Sequence, residues 1–167
     1  MDVRATKESV VTLALHELDV WEPGHQRFYW DAVGDPRSSG PVSEARAGLK
    51  NWSWCVAFVS WIYASAGCPL LLRGDIAGMA YVPFLYEWGR ANGVLRGAEY
   101  EPDAGDIVIY GRASDGHPCH TGIVVSDHES IEGNYSNRVA RVAFREQKDP
   151  VIGFLAVLPY EPEMNAD

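Results

Sequence analysis

Four residues have the types and the order that thiol hydrolysis requires. Cys55 stands in Trp52-Ser53-Trp54-Cys55, where an irregular stretch runs into the apolar segment 54–66. If that segment is a helix, Cys55 sits at its N-terminus, beside free N–H groups and the positive end of the dipole. Both favour a thiolate, and the same N–H groups can hold an oxyanion. By position alone Cys55 also reads as a small buried side chain. His120 opens Thr121-Gly122-Ile123-Val124-Val125, a strand start, from which an imidazole can reach a thiol. It reads equally as a polar strand end. Glu132 and Asn134 follow in Ser130-Ile131-Glu132-Gly133-Asn134. Strand alternation places both on one face, where either can orient the histidine. Gly133-Asn134 is also turn chemistry.

The elements that must position these groups follow from periodicity. Residues 6–19 form an expected helix with Thr6 as N-cap and Val11, Ala14, Leu15 and Leu18 on one face. Residues 22–51 read as irregular, with an aromatic knot at Phe28-Tyr29-Trp30, and a loop of that length is expected to be functional. Segment 54–66 is apolar almost all round, the pattern of a buried helix, and it stops at Gly67 with Pro69 beyond. Residues 80–91 read as a further, aromatic-rich helix. After Pro102 come five short strand-like runs at 106–110, 121–125, 129–132, 139–144 and 151–158. Helices first and an antiparallel meander second give an α+β domain spanning 1–160, with a flexible tail at 161–167.

Composition sets the outer limits. The 167 residues suffice for one core, and 47% hydrophobic with 22% charged residues are globular values. Lys plus Arg is 14 against 23 Asp plus Glu, a net charge of −9. That balance argues against nucleic acid or an anionic membrane as partner. Neither a secretory signal pattern nor a spanning helix is visible, so synthesis in the cytoplasm is expected. The three cysteines, Cys55, Cys68 and Cys119, are a poor disulfide framework. If Cys119 precedes His120 on a regular strand, its side chain points away from the site. It is then free to bridge Cys68 across about 50 residues, worth about 2–4 kcal/mol.

Four ordered motifs resemble one family. Trp54-Cys55-Val56-Ala57-Phe58-Val59-Ser60-Trp61 is similar to the nucleophile helix of the CHAP family, the cysteine, histidine-dependent amidohydrolases/peptidases. Pro102-Asp103-Ala104-Gly105-Asp106-Ile107-Val108 resembles that family's entry into its barrel. His120-Thr121-Gly122-Ile123-Val124 resembles its histidine strand, and Ile131-Glu132-Gly133-Asn134 its Glu/Asn element. The resemblance implies a papain-like (NlpC/CHAP-type) fold and a peptidoglycan hydrolase, amidase or endopeptidase, that cuts cell-wall stem peptides. It implies Cys55 as nucleophile, His120 as base, and Glu132 with Asn134 as orienting residues, with no cofactor. Trp52, Trp54 and Tyr29 are the expected groove-lining residues. The chemistry suits a monomeric antibacterial toxin delivered by type VI secretion to the periplasm or wall of a target bacterium, with an immunity protein as partner. A phage endolysin of the same chemistry, or a papain-like protease or acyltransferase on another substrate, are the alternatives. A rival of another class is a zinc site at His117, Cys119, His120 and His128, with Asp115 and Asp127 nearby; its adjacent Cys119 and His120 would alternate to opposite strand faces.

Overall fold

The computed structural model describes residues 5–32, 53–70 and 81–159. Helix α1 spans Lys7–Val20 and is followed by a 3-10 helix at His25–Ala32. Helix α2 spans Cys55–Ser65 and α3 spans Val82–Ala91. Six strands follow: β1 Leu95–Gly97, β2 Ile107–Gly111, β3 Pro118–Ser126, β4 Glu129–Tyr135, β5 Arg138–Ala143 and β6 Val151–Leu155. They make one sheet of order β1-β6-β2-β3-β4-β5 with every neighbouring pair antiparallel. The expected α+β class is the observed one. Strand β1 was not anticipated, because three residues are too few to show a period of two.

Local chemistry explains the helix ends. Thr6 caps α1 through a reciprocal pair with Ser9: the Ser9 N–H donates to Thr6 Oγ1, and the Thr6 N–H to Ser9 Oγ, both at 3.1 Å. The buried face of α1 is Val10, Ala14 and Glu17, one step round from the expected stripe, and Leu15 is exposed. The reason is Glu17, a buried carboxylate that an apolar pattern cannot register. It accepts from the Tyr29 hydroxyl at 2.8 Å and pairs with His25 Nε2 at 2.9 Å. Helix α2 is buried on nearly every side, as its composition requires, and ends at Gly67 in a left-handed conformation (φ +90°).

Helix α2 packs on β3 and β4 and against the 3-10 helix. Ile107, Ile109, Ile123, Ile131 and Leu155 join the helices in the main core, while Val108, Tyr110, Val124 and Phe154 form a smaller cluster. The Pro102–Val108 motif proves to be a clamp on α1. Lys7 Nζ pairs with Asp103 at 2.8 Å and with the fully buried Asp106 at 2.9 Å, and the Tyr63 hydroxyl donates to the Gly105 carbonyl at 2.5 Å. Asp106 also accepts from the Asp103 N–H at 2.9 Å. These contacts fix α1 and α2 to the edge of β2, so the motif serves the frame of the site.

Candidate active site

The helix start carries the candidate thiol. Cys55 is the first residue of α2, and the cap residue, Trp54, makes no side-chain cap bond. The first-turn N–H groups therefore remain available, and the Val56 N–H is bonded to the Cys55 sulfur. Trp54 Nε1 donates to Asn137 Oδ1 at 3.2 Å, which ties the helix start to the β4–β5 turn. Close approach of α2 to β4 depends on Gly133, where a Cβ would lie 2.4 Å from Phe58 Cβ and 3.0 Å from Trp54 Cζ3.

His120 and Glu132 come from neighbouring strands. His120 Nε2 bonds Glu132 Oε2 at 3.0 Å, and the thiol of Cys55 is the second partner of the ring. Gly122 makes room for this pairing, since a Cβ there would meet Glu132 Cγ at 2.7 Å. The fully buried Glu132 carboxylate also accepts from the Ser130 hydroxyl at 2.8 Å and from the Gln147 side-chain amide. The Tyr110 hydroxyl meets Ser130 Oγ at 3.1 Å, and the Tyr110 ring stacks on His120 with centroids 5.9 Å apart. Glu132 thus has three donors that fix its position.

Asn134 is elsewhere. Its Nδ2 donates to Ser53 Oγ at 3.0 Å, and Ser53 Oγ lies 3.6 Å from Cys55 Sγ. Glu132 and Asn134 were expected to point together, and the structure corrects this. Between Glu132 and Tyr135 the β4–β5 register slips, and Asn134 adopts a left-handed backbone (φ +59°). A bulge breaks the alternation that the expectation rested on. Glu132 goes to the histidine, and Asn134 goes to Ser53, the neighbour of the sulfur.

A second bulge corrects the reading of Cys119. Tyr110 pairs with His120 and Gly111 with Pro118, so Cys119 is the extra residue. Cys119 therefore borders the same groove as His120 instead of facing away, and its thiol bonds Asp149 Oδ2 at 3.5 Å. All three cysteines are free, so the Cys68–Cys119 bridge is not present. The zinc alternative fails as well. Among the described residues no group of three or more His, Cys, Asp or Glu side chains is placed to hold a metal. His120 pairs with Glu132, Cys119 with Asp149, and the exposed His128 with Asp127.

Electrostatics separate the three thiols. Burial pushes the Cys55 thiol up, but the hydrogen bond and charge of His120, the Ser53 hydroxyl and the Val56 N–H outweigh it. The net effect holds Cys55 below its ordinary value. Burial alone raises Cys68, and burial with Asp149 raises Cys119 to about 11. His120 is lowered by burial and raised more strongly by Cys55 and Glu132, ending at about 10. Both shifts run in the direction that favours a thiolate beside an imidazolium.

An open groove of about 840 Å³ borders His120, Cys119 and Asn134, with Arg112, Glu146, Lys148 and Asp149 on its walls. Tyr29 and Trp54, expected on its walls, are not among the residues that line it, and Tyr135 is the aromatic side chain there. Tyr29 is 0% and Trp54 2% exposed, stacked on one another with centroids 5.7 Å apart in the core. Aromatic area is worth more buried than wet, and the Tyr29 hydroxyl bonds the buried Glu17 while Trp54 Nε1 reaches Asn137 on the β4–β5 turn. Trp52 lies outside the described residues.

A family model for the CHAP domain matches residues 47–139, more than half of the chain. The chain belongs to the CHAP domain family. The match runs from the segment before Cys55 through the strands carrying His120 and Glu132 to the residues that close the β4–β5 turn. At family level, a CHAP domain is a hydrolase of the peptidoglycan amidase/peptidase type, usually cysteine-dependent. Among curated proteins nothing matches the sequence. Within this CHAP domain the sequence reading missed Ser53, Tyr110, Ser130 and Gln147. Ser130 had a signal, being two residues from Glu132 on the same strand. Gln147 follows a 3-10 turn at Phe144–Glu146 and had none.

Proposed function

We propose that this CHAP domain cleaves amide bonds of peptidoglycan stem peptides by acyl transfer through Cys55. The observation that carries the reading is the Cys55–His120–Glu132 line at a helix N-terminus beside an open groove. The Cys55 thiolate attacks the amide carbonyl carbon, and the N–H groups of the first turn of α2 face the oxyanion. The tetrahedral intermediate collapses as the His120 imidazolium gives its proton to the departing amine. Neutral His120 then takes a proton from water, whose oxygen attacks the thioester. The acid leaves, and the Cys55 thiolate and His120 imidazolium are restored. Glu132 holds the ring and favours its charged form throughout.

Incubating the purified chain with isolated peptidoglycan, followed by mass spectrometry of the released fragments, tests this and names the bond. New amine and carboxyl ends are expected with the wild type and none with Cys55→Ala. Equal digestion by both proteins would refute the assignment.

The site of action we propose is the wall of a target bacterium, reached by type VI delivery, with an immunity protein protecting the producer. The location of the substrate outside the inner membrane supports it, since the enzyme is then harmless where it is made. Expression in a Gram-negative host should lyse cells when the chain is directed to the periplasm and not when it stays in the cytoplasm. Equal toxicity from both compartments would contradict that placement.

A further inference from the structure

We propose that Ser53 is a catalytic residue that donates its hydroxyl proton to the Cys55 thiolate, and that Asn134 is the positioning residue that aims it. The proposal rests on the thiolate–imidazolium reading above and assigns a second hydrogen-bond line to the same sulfur. The first line approaches from His120. The second runs from Asn134 Nδ2 to Ser53 Oγ at 3.0 Å and from Ser53 Oγ to Cys55 Sγ at 3.6 Å.

Three arguments fix the direction of this line. An amide N–H can only donate, so Ser53 Oγ is the acceptor from Asn134. A serine hydroxyl carries one proton, which then remains for the sulfur. A thiolate has no proton to give, so the Ser53–Cys55 contact is a donation to sulfur. Asn134 is bonded to Ser53 and not to the histidine, whose Nε2 is paired with Glu132. The left-handed backbone at Asn134 turns its side chain toward Ser53, a conformation asparagine tolerates and most residues do not. Burial opposes the charge on Cys55, which is 1% exposed, so an extra donor to the sulfur has a large effect there.

The test follows alkylation of Cys55 against pH, read peptide by peptide by mass spectrometry, with no substrate present. In Ser53→Ala the midpoint should rise by about half to one pH unit. Asn134→Gly keeps the backbone conformation and removes the donor. It should give a rise of the same sign, and the double variant should add little to Ser53→Ala. Ser53→Thr, which keeps the hydroxyl, should restore the wild-type midpoint. On peptidoglycan, Ser53→Ala should lower kcat about 3–10-fold, with KM little changed and the alkaline limb from His120 unmoved. A depressed wild-type midpoint that Ser53→Ala leaves in place overturns the Ser53 line alone. A wild-type midpoint at the ordinary thiol value overturns the ion pair and this line with it. An Asn134→Gly variant that shifts only the alkaline limb overturns the assignment of Asn134 to the sulfur.

Discussion

The molecule contains the same contact twice. His25 Nε2 meets Glu17 Oε2 at 2.9 Å, and His120 Nε2 meets Glu132 Oε2 at 3.0 Å. Both carboxylates are almost completely buried and both imidazoles partly so. Their surroundings differ. Around His25 stand the rings of Phe28 and Tyr29, in edge contact, and the second donor to Glu17 is the Tyr29 hydroxyl. That pair pins the 3-10 helix to α1. Around His120 stand the Cys55 sulfur, the Tyr110 ring and an open groove. A buried histidine–glutamate pair is therefore not in itself a catalytic feature. The third partner is what differs, and beside His120 it is the thiol at the start of α2.

Breaking the nucleophile should have the largest effect. Cys55→Ala should lower kcat/KM on peptidoglycan by about 10⁴-fold or more while the protein stays folded by circular dichroism. Next comes the carboxylate behind the ring. Glu132→Gln should lower kcat about 100-fold or more, because a neutral partner supports the imidazolium poorly. Glu17→Gln removes the same charge from the other pair. It should leave kcat within about twofold and cost about 1–3 kcal/mol of stability, measured by denaturant melts. Equal activity losses from Glu17→Gln and Glu132→Gln would erase the distinction between the pairs.

The pH profile sharpens the comparison further. His120 has its folded pKa raised to about 10, so the stability it contributes is fully present below the ordinary imidazole value. That contribution is lost as pH rises through about 10. Cys55 is shifted down, so its contribution is present above the ordinary thiol value and is lost as pH falls through the lowered one. Activity should be flat between the two limbs. It should fall on the acid side as the thiolate is protonated, and above about 10 as the proton for the leaving amine is lost.

Much of this was legible in the sequence. The apolar run after Trp54 announced a buried helix, and Cys55 stands at its start as expected. The strands after Pro102 and the order of the four motifs fixed the fold class. What stayed hidden has a common physical cause. Two one-residue bulges, at Cys119 and around Asn134, defeat the alternation by which side chains are assigned to faces. Tyr29 and Trp54 carry groove-like chemistry, yet their packing partners come from distant segments. Glu17 sits in the core because Tyr29 and His25 meet it there, a fact visible only after folding. Ser53 and Gln147 reach the site from loops, where no periodicity points at anything.

The central claim is that one of three free cysteines is held as a thiolate by a histidine that another buried pair does not duplicate. Peptide-resolved alkylation of the intact protein across pH measures this directly, with Cys68 and Cys119 as internal references. The account predicts that Cys55 titrates below the ordinary thiol value while Cys68 titrates above it and Cys119 near about 11. Three cysteines titrating together, or Cys55 titrating above the other two, would contradict it.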